Sequence, residues 1–189
     1  MNVKLIGVQG GAGSFSEDAA KIFAKNHGIS DYEICYLITS KLVLNNVQNG
    51  EVDYGVFAME NAQGGVVIES VEALSEYKCK IIEMFQVPIS QNLLARHGVL
   101  IGEITEIHSH QQALRQCKDY LSENFWTRPL IEEDDTAESA RRLSEGSLVE
   151  TAAVVGSKHC AELYDLNIIK KDIHDLKHNL TLFLGVEKK

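Results

Sequence analysis

At 189 residues with 44% hydrophobic content, the chain can bury a core for one domain or two small lobes. Its formal net charge of -9 repels polyanions and excludes nucleic acid as a partner, since that binding rests on clustered Lys and Arg at phosphates. No apolar run is long enough to cross a bilayer and the start, Met1-Asn2-Val3-Lys4, is not a secretory signal, so the expectation is a cytoplasmic protein with no membrane partner.

In chain order, Val3–Gln9 reads as an apolar strand, followed by a Gly-rich turn and an amphipathic helix from about Ser16 to His27. Tyr32–Ile38 is a second strand, Lys41–Val47 a helix, and Tyr54–Met59 a third strand that turns at Glu60–Gly65 into a helix ending near Tyr77. Lys80–Pro88 and Asn92–His97 are extended. A strand near Glu106–His108 precedes a helix predicted from Gln111 to about Asn124. Pro129–Glu132 is a short strand and Asp135–Glu145 a helix stopped by Gly146. Ala152–Val155 is a strand, Cys160–Asp165 a short helix, and Asn167–Ile173 and Leu180–Val186 are late strands. This alternation predicts an α/β fold with mostly parallel sheets. The cysteines, Cys35, Cys79, Cys117 and Cys160, form no C-x-x-C pair and read as reduced, mostly buried thiols.

Polar and small residues gather at four strand-to-helix junctions. In Gly10–Glu17, the glycines Gly10, Gly11 and Gly13 permit a tight turn and close backbone approach to a ligand, and Ser14 with Glu17 has capping-box spacing. The stretch is neither a Walker A loop nor a dinucleotide fingerprint. In Met59–Val67, Glu60 and Asn61 end an apolar strand ahead of Gly64-Gly65, where Asn61 serves either a ligand or orphan amides. In Ile107–Cys117, Ser109 and Gln112 match S-x-x-Q, while His108 and His110 lack the further ligands that a zinc site needs. In Glu132–Leu143, Asp135 or Thr136 caps the helix. Ligands of open α/β sheets sit beyond strand carboxyl ends against helix N-termini, which favour anions. The pattern therefore predicts a cleft for a small anionic molecule and leaves open whether the chain is an enzyme or a binding protein.

Order and spacing resemble the catalytic domain of prephenate dehydratase across essentially the whole chain. Gly10–Ser16 lies where that family has Gly-Pro-x-Gly-Thr-Phe-Ser, and Glu60-Asn61-Ala62 where it has Glu-Asn-Ser. Glu83 with Pro88–Leu94 is similar to its Glu and Pro-Ile stretch, and Ser109–Cys117 to its Ser-His-Pro-Gln-Ala-Leu-x-Gln-Cys. Asp135–Ala140 stands for Ser-Thr-Ala-x-Ala-Ala, Tyr164–Asp175 for the Tyr-Gly-Leu and Ile-x-Asp run, and Asn179–Phe183 for Asn-x-Thr-Arg-Phe.

The resemblance implies two α/β lobes around a cleft, like type II periplasmic binding proteins, with lobe one about 1–78 plus 166–189 and lobe two about 79–165. It implies a lyase that turns prephenate into phenylpyruvate with loss of carbon dioxide and water, no cofactor and no metal, and a homodimer. The alternatives are a prephenate decarboxylase, or another enzyme of cyclohexadienyl acids, and a non-catalytic binder of small acids. The family often carries a C-terminal ACT domain that senses phenylalanine, and with Lys189 last the expectation is that such control does not reside in this chain. The resemblance makes Thr181 the catalytic hydrogen-bond donor. Ser14, Asn61, Gln112, Thr136, Gly11, Gly13, Glu60, Ser109, His110 and Phe183 become substrate contacts. Leu182 replaces the family Arg, and loss of a charge-assisted hydrogen bond, about 1.5–3 kcal/mol, is expected to weaken carboxylate binding. Ala62 removes a donor and Asp135 adds a carboxylate, while Lys177 and His178 are candidate replacements for the lost charge.

Overall fold

The computed structural model describes residues 3–189; Met1 and Asn2, part of the stretch read as a non-secretory start, lie outside them. The chain runs through β1 (Lys4–Val8), α1 (Phe15–Asn26), β2 (Tyr32–Tyr36), α2 (Ser40–Asn49), β3 (Tyr54–Asn61), β4 (Gly65–Val66), α3 (Ile68–Glu76) and β5 (Cys79–Pro88). It continues with β6 (Asn92–Ala95), β7 (Glu106–His110), α4 (Gln111–Gln116), α5 (Lys118–Phe125), β8 (Leu130–Glu133) and α6 (Thr136–Glu145). The last elements are β9 (Ala152–Gly156), α7 (Lys158–Leu163), β10 (Asn167–Lys170) and β11 (Leu180–Lys188). The helix predicted over Gln111–Asn124 breaks at Cys117, whose N–H bonds the Leu114 carbonyl three residues back at 3.2 Å. The helix predicted directly after Gly65 is delayed by β4, which folds back on β3 with Glu60 opposite Val66.

Two compact units result: Met1–Pro88 with Leu180–Lys189, and Ile89–Asn179. Sheet pairing sets these bounds. β5 lies along β11 from Leu180 opposite Pro88 to Lys188 opposite Cys79, so residues 79–88 stay in unit 1. β10 pairs with β6, with Asn167 opposite Ala95, so the chain up to Asn179 stays in unit 2. The expected bounds near 78 and 165 therefore both shift toward the C-terminus, to 88 and 179, because pairing partners distant in sequence leave no local signal.

Unit 1 holds a sheet of order β2-β1-β3-β11-β5 with β4 beside β3; β1 is parallel to β2 and β3, whereas β11 runs antiparallel to β3 and β5. Unit 2 has the order β10-β6-β9-β7-β8, parallel only across β9-β7-β8. The mostly parallel sheets predicted are thus mixed. Strand alternation divides each core into two layers. In unit 1, Val56 and Phe183 pack with Ala20 and Phe23 of α1, while the next residues, Phe57 and Leu184, pack with Val43 and Leu44 of α2 and Ala73 of α3. In unit 2, Leu93 and Ala153 meet Leu114 and Leu121 of α4 and α5, and Leu94 and Ala152 meet Ala140 and Leu143 of α6.

Candidate functional site

Both units have a point where consecutive parallel strands depart to opposite sides, leaving a crevice at the strands' carboxyl ends. In unit 1 it lies between β1 and β3, and in unit 2 between β7 and β9. The polar residues singled out in the sequence collect around these two points.

In unit 1, Asn61 ends β3 and Thr181 stands directly opposite it on β11. The Asn61 carbonyl Oδ1 accepts from the backbone N–H groups of Gln63 at 3.0 Å and Gly64 at 2.8 Å. Two backbone donors on one oxygen fix the orientation of the amide, so the Nδ2 end must face Thr181. Nδ2 donates to Thr181 Oγ1 at 2.8 Å and more weakly to the Leu180 carbonyl at 3.5 Å. Asn61 is 5% and Thr181 6% exposed, so this bond is largely sheltered from water. Because Oγ1 accepts from Asn61, the threonine proton is left for another acceptor, and the accepted bond makes that O–H a stronger donor. Asn61 therefore caps no helix; it ties the β3–β4 turn to a hydroxyl.

On the same face as α1, the glycine turn leads into that helix. Ser14 is its N-cap, accepting from Glu17 N at 3.4 Å. The reciprocal half of the expected capping box is displaced by one residue: Glu17 Oε2 accepts from Gly13 N at 2.8 Å, and Lys21 neutralises the buried carboxylate at 2.7 Å. The Gly13 amide is thereby engaged inside the protein, and with φ +85 this residue shapes the turn. Gly11 is half-buried, with open space where a Cβ would stand.

Two expected contacts separate from this group. Phe183 is 1% exposed and stacks on Phe85 with ring centroids 6.1 Å apart, so it builds the core instead of touching a ligand. Glu60 precedes Asn61 in β3 and faces the other side of the sheet, level with Val66 on one side and Leu182 on the other. Leu182 shares that face with Glu60 and Gln86 while Thr181 points the opposite way. An arginine at 182 would lie beside the Glu60 carboxylate, away from Thr181. On this alternation residue 182 and Thr181 do not share a face of the sheet. Lys177 and His178 are exposed. Glu83 accepts from Asn26 Nδ2 at 2.8 Å and lies 3.0 Å from His27 Nε2, which fastens the end of α1 to β5.

In unit 2, β7 extends two residues beyond its predicted end, and this overturns the capping box at Ser109. Ser109 is buried within the strand, donating to the Val155 carbonyl of β9 at 2.7 Å and lying 3.1 Å from Thr136 Oγ1. His110 caps α4 instead, its Nδ1 accepting from Gln112 N at 3.2 Å. An acceptor Nδ1 leaves Nε2 as the donor of that exposed ring. The Gln112 side chain is exposed. Asp135 is the N-cap of α6, accepting from Glu138 N at 2.8 Å, and Thr136 is its first residue. The carboxylate that replaces the family serine thus serves its own helix. His108 is 4% exposed, with Nδ1 at 2.8 Å from Glu133 and Nε2 at 2.9 Å from Glu106, and Arg142 adds a contact to Glu133 at 2.7 Å.

Among the described residues no cluster of His, Cys, Asp or Glu could hold a metal ion, and no helix is long and apolar enough to cross a membrane. Burial, reinforced by Asp175, pushes the Cys117 thiol far up, and burial raises Cys35 and Cys79 as well. None of these three is poised as a thiolate nucleophile.

The prephenate dehydratase family profile matches residues 6–189. A prephenate dehydratase of Methanocaldococcus jannaschii is 34% identical over 178 residues, covering 94% of this chain and 62% of that enzyme. A prephenate dehydratase from Arthrobacter aurescens, solved in complex with L-Phe, superposes with a TM-score of 0.85 at 27% identity over 98% of this chain and 60% of that one. A nutrient-binding protein of Burkholderia cenocepacia bound to methionine has a TM-score of 0.54 at 15% identity, covering 98% of this chain and 85% of its own, a likeness of fold alone. The chain spans between 45% and 62% of the length of the first curated relatives it matches. With the family profile covering nearly every residue and the matched motifs standing at two strand switch points, the chain belongs to the prephenate dehydratase family.

Proposed function

We propose that this chain binds prephenate and converts it to phenylpyruvate, carbon dioxide and water. The observation that carries this reading is the hydrogen bond from Asn61 Nδ2 to Thr181 Oγ1, with the amide orientation fixed by Gln63 and Gly64.

In this reaction the bond between the ring and its carboxylate breaks, and carbon dioxide leaves. The electron pair of that bond enters the ring, the carbon–oxygen bond across the ring breaks, and the departing hydroxide takes up a proton as water. Formation of the aromatic ring makes the step strongly downhill, so a catalyst need mainly orient the substrate and assist the leaving oxygen. Thr181, accepting from Asn61, directs its own proton at that oxygen. A threonine hydroxyl is a weak acid, and its contribution is polarisation of the breaking bond more than full proton transfer.

Asn61 is then a positioning residue, acting through Thr181. Ser14 and Gly11, at the mouth of α1, are proposed to receive substrate oxygens by hydroxyl and backbone groups, aided by the helix dipole. His110, Gln112 and Thr136 are the proposed contacts from unit 2, and Ser109, fully buried, acts only through Thr136 at 3.1 Å. The reading includes a homodimer in the cytoplasm, which the family resemblance supports and light scattering on the purified chain tests.

The deciding experiment gives purified chain prephenate at neutral pH and identifies the products by NMR. Phenylpyruvate formed faster than in buffer supports the proposal. A decarboxylated, non-aromatic acid would replace it with a decarboxylase, and unchanged prephenate with saturable binding would leave a binding protein.

A further inference from the structure

The chain leaves β2 at Tyr36 and enters α2 through Leu37, Ile38 and Thr39. Thr39 N donates to the Leu37 carbonyl at 2.6 Å, closing a three-residue turn around Ile38, which has φ +63. This is the γ-turn of positive φ, the rare and strained form. A β-branched residue there is an outlier, because its Cβ crowds the backbone where glycine or asparagine would sit easily. The other non-glycine residues at positive φ among the described residues are Asp165 and Asp172, a side chain that tolerates the conformation.

Packing does not explain the isoleucine. Its side chain is 60% exposed. A hydrophobic staple would pair it with Val43 at the fourth position of α2, but Val43 is already fully enclosed in the core of that face. What the turn does secure is position. The Ile38 carbonyl accepts from Gly10 N at 3.0 Å, so the strained residue is tied to the first glycine of the turn that leads to Ser14. The parallel register, Val8 opposite Tyr36, likewise brings residue 38 level with residue 10. A strained conformation that gains nothing in the core and abuts a binding turn is the pattern found at ligand sites.

We propose that Ile38 is a specificity-determining residue, an apolar contact for the hydrocarbon ring of the bound cyclohexadienyl acid, presented to the glycine turn by the strained γ-turn. This rests on the proposed reading of the unit 1 site. The groups proposed to meet the substrate there, Ser14, Thr181 and the Gly11 backbone, are all polar and address the carboxylates and hydroxyl of prephenate, while Asn61 holds Thr181. Ile38 supplies the complementary contact for the ring carbons.

The test compares Ile38→Gly, Ile38→Asn and Ile38→Val with the wild-type chain, reading thermal midpoint and the Kd of prephenate at neutral pH. Gly and Asn relax the turn, so both variants should melt higher than wild type, while losing the ring contact should raise Kd about tenfold or more, the scale of a lost apolar pocket contact. Val keeps the branch and its strain, so its midpoint should stay near wild type and its Kd should rise less than in the Gly and Asn variants. Higher midpoints with an unchanged Kd would overturn the proposal, because the strain would then serve no ligand. Wild-type protein that binds prephenate without converting it overturns the proposed reaction, and the Kd comparison still decides on Ile38. Wild-type protein that does not bind prephenate overturns both.

Discussion

Replacing Asn61 by Asp changes one atom of the side chain and reverses one hydrogen bond. The oxygen that accepts from Gln63 and Gly64 at 3.0 and 2.8 Å is retained, so the β3–β4 turn keeps its anchor. The nitrogen that donates to Thr181 at 2.8 Å becomes a second acceptor, and Thr181 must then donate to it. The proton proposed for the leaving hydroxyl of the substrate is captured inside the protein. Removing one preorganised donor of this type lowers kcat by about a hundredfold to a thousandfold. KM should move little, since Asn61 acts through Thr181. When protonated, the introduced carboxyl regains an O–H that can point at Thr181, so kcat of Asn61→Asp should recover as pH falls, in a limb absent from the wild type. The assay follows phenylpyruvate across that pH range, with urea unfolding to confirm that the variant is folded. Wild-type kcat at neutral pH in this variant would show that the direction of the Asn61–Thr181 bond does not matter.

Other consequences concern binding and stability. Leu182→Arg should leave KM for prephenate within about twofold while its cross-strand pairing with Glu60 adds about 0.2–1 kcal/mol of stability; a tenfold fall in KM would restore a carboxylate-binding role for this position. Gly185→Ala places a Cβ within 2.6 Å of the buried Phe23 ring, and overpacking of this kind should cost about 1–3 kcal/mol, read as a lower melting temperature. Asp53 is held below its ordinary value of 3.8 by the Lys4 hydrogen bond and the Leu5 amide. A depressed carboxylate contributes stability above its unfolded pKa and loses it as pH falls through the folded one. The stability difference between wild type and Asp53→Asn should therefore be full at neutral pH and shrink below 3.8, which urea midpoints at several pH values would show.

Much of this arrangement was legible because local rules govern it. Ser14 is the α1 cap that its spacing to Glu17 announces, and Asn61 sits at the end of an apolar strand before paired glycines, as read. The capping box at Ser109 fails because S-x-x-Q spacing fits equally a serine buried one residue before the end of a longer strand, with His110 as the cap. The opposite facing of Thr181 and Leu182 was available from strand alternation alone, but the family motif drew both residues toward one ligand. The unit boundaries were not legible, since the pairing of β5 with β11 joins segments about a hundred residues apart. Nor was the γ-turn at Ile38, because no sequence rule places isoleucine at positive φ.

Whether the Thr181 proton assists departure of the ring hydroxyl is decided by comparing Thr181→Val with Thr181→Ser. Val has nearly the same shape and no hydroxyl, while Ser keeps the hydroxyl opposite Asn61. Val should lower kcat for phenylpyruvate formation by about a hundredfold or more, in a folded protein that still binds prephenate, and Ser should retain most of the rate. A Thr181→Val chain that turns over prephenate as fast as wild type would contradict that role of the proton.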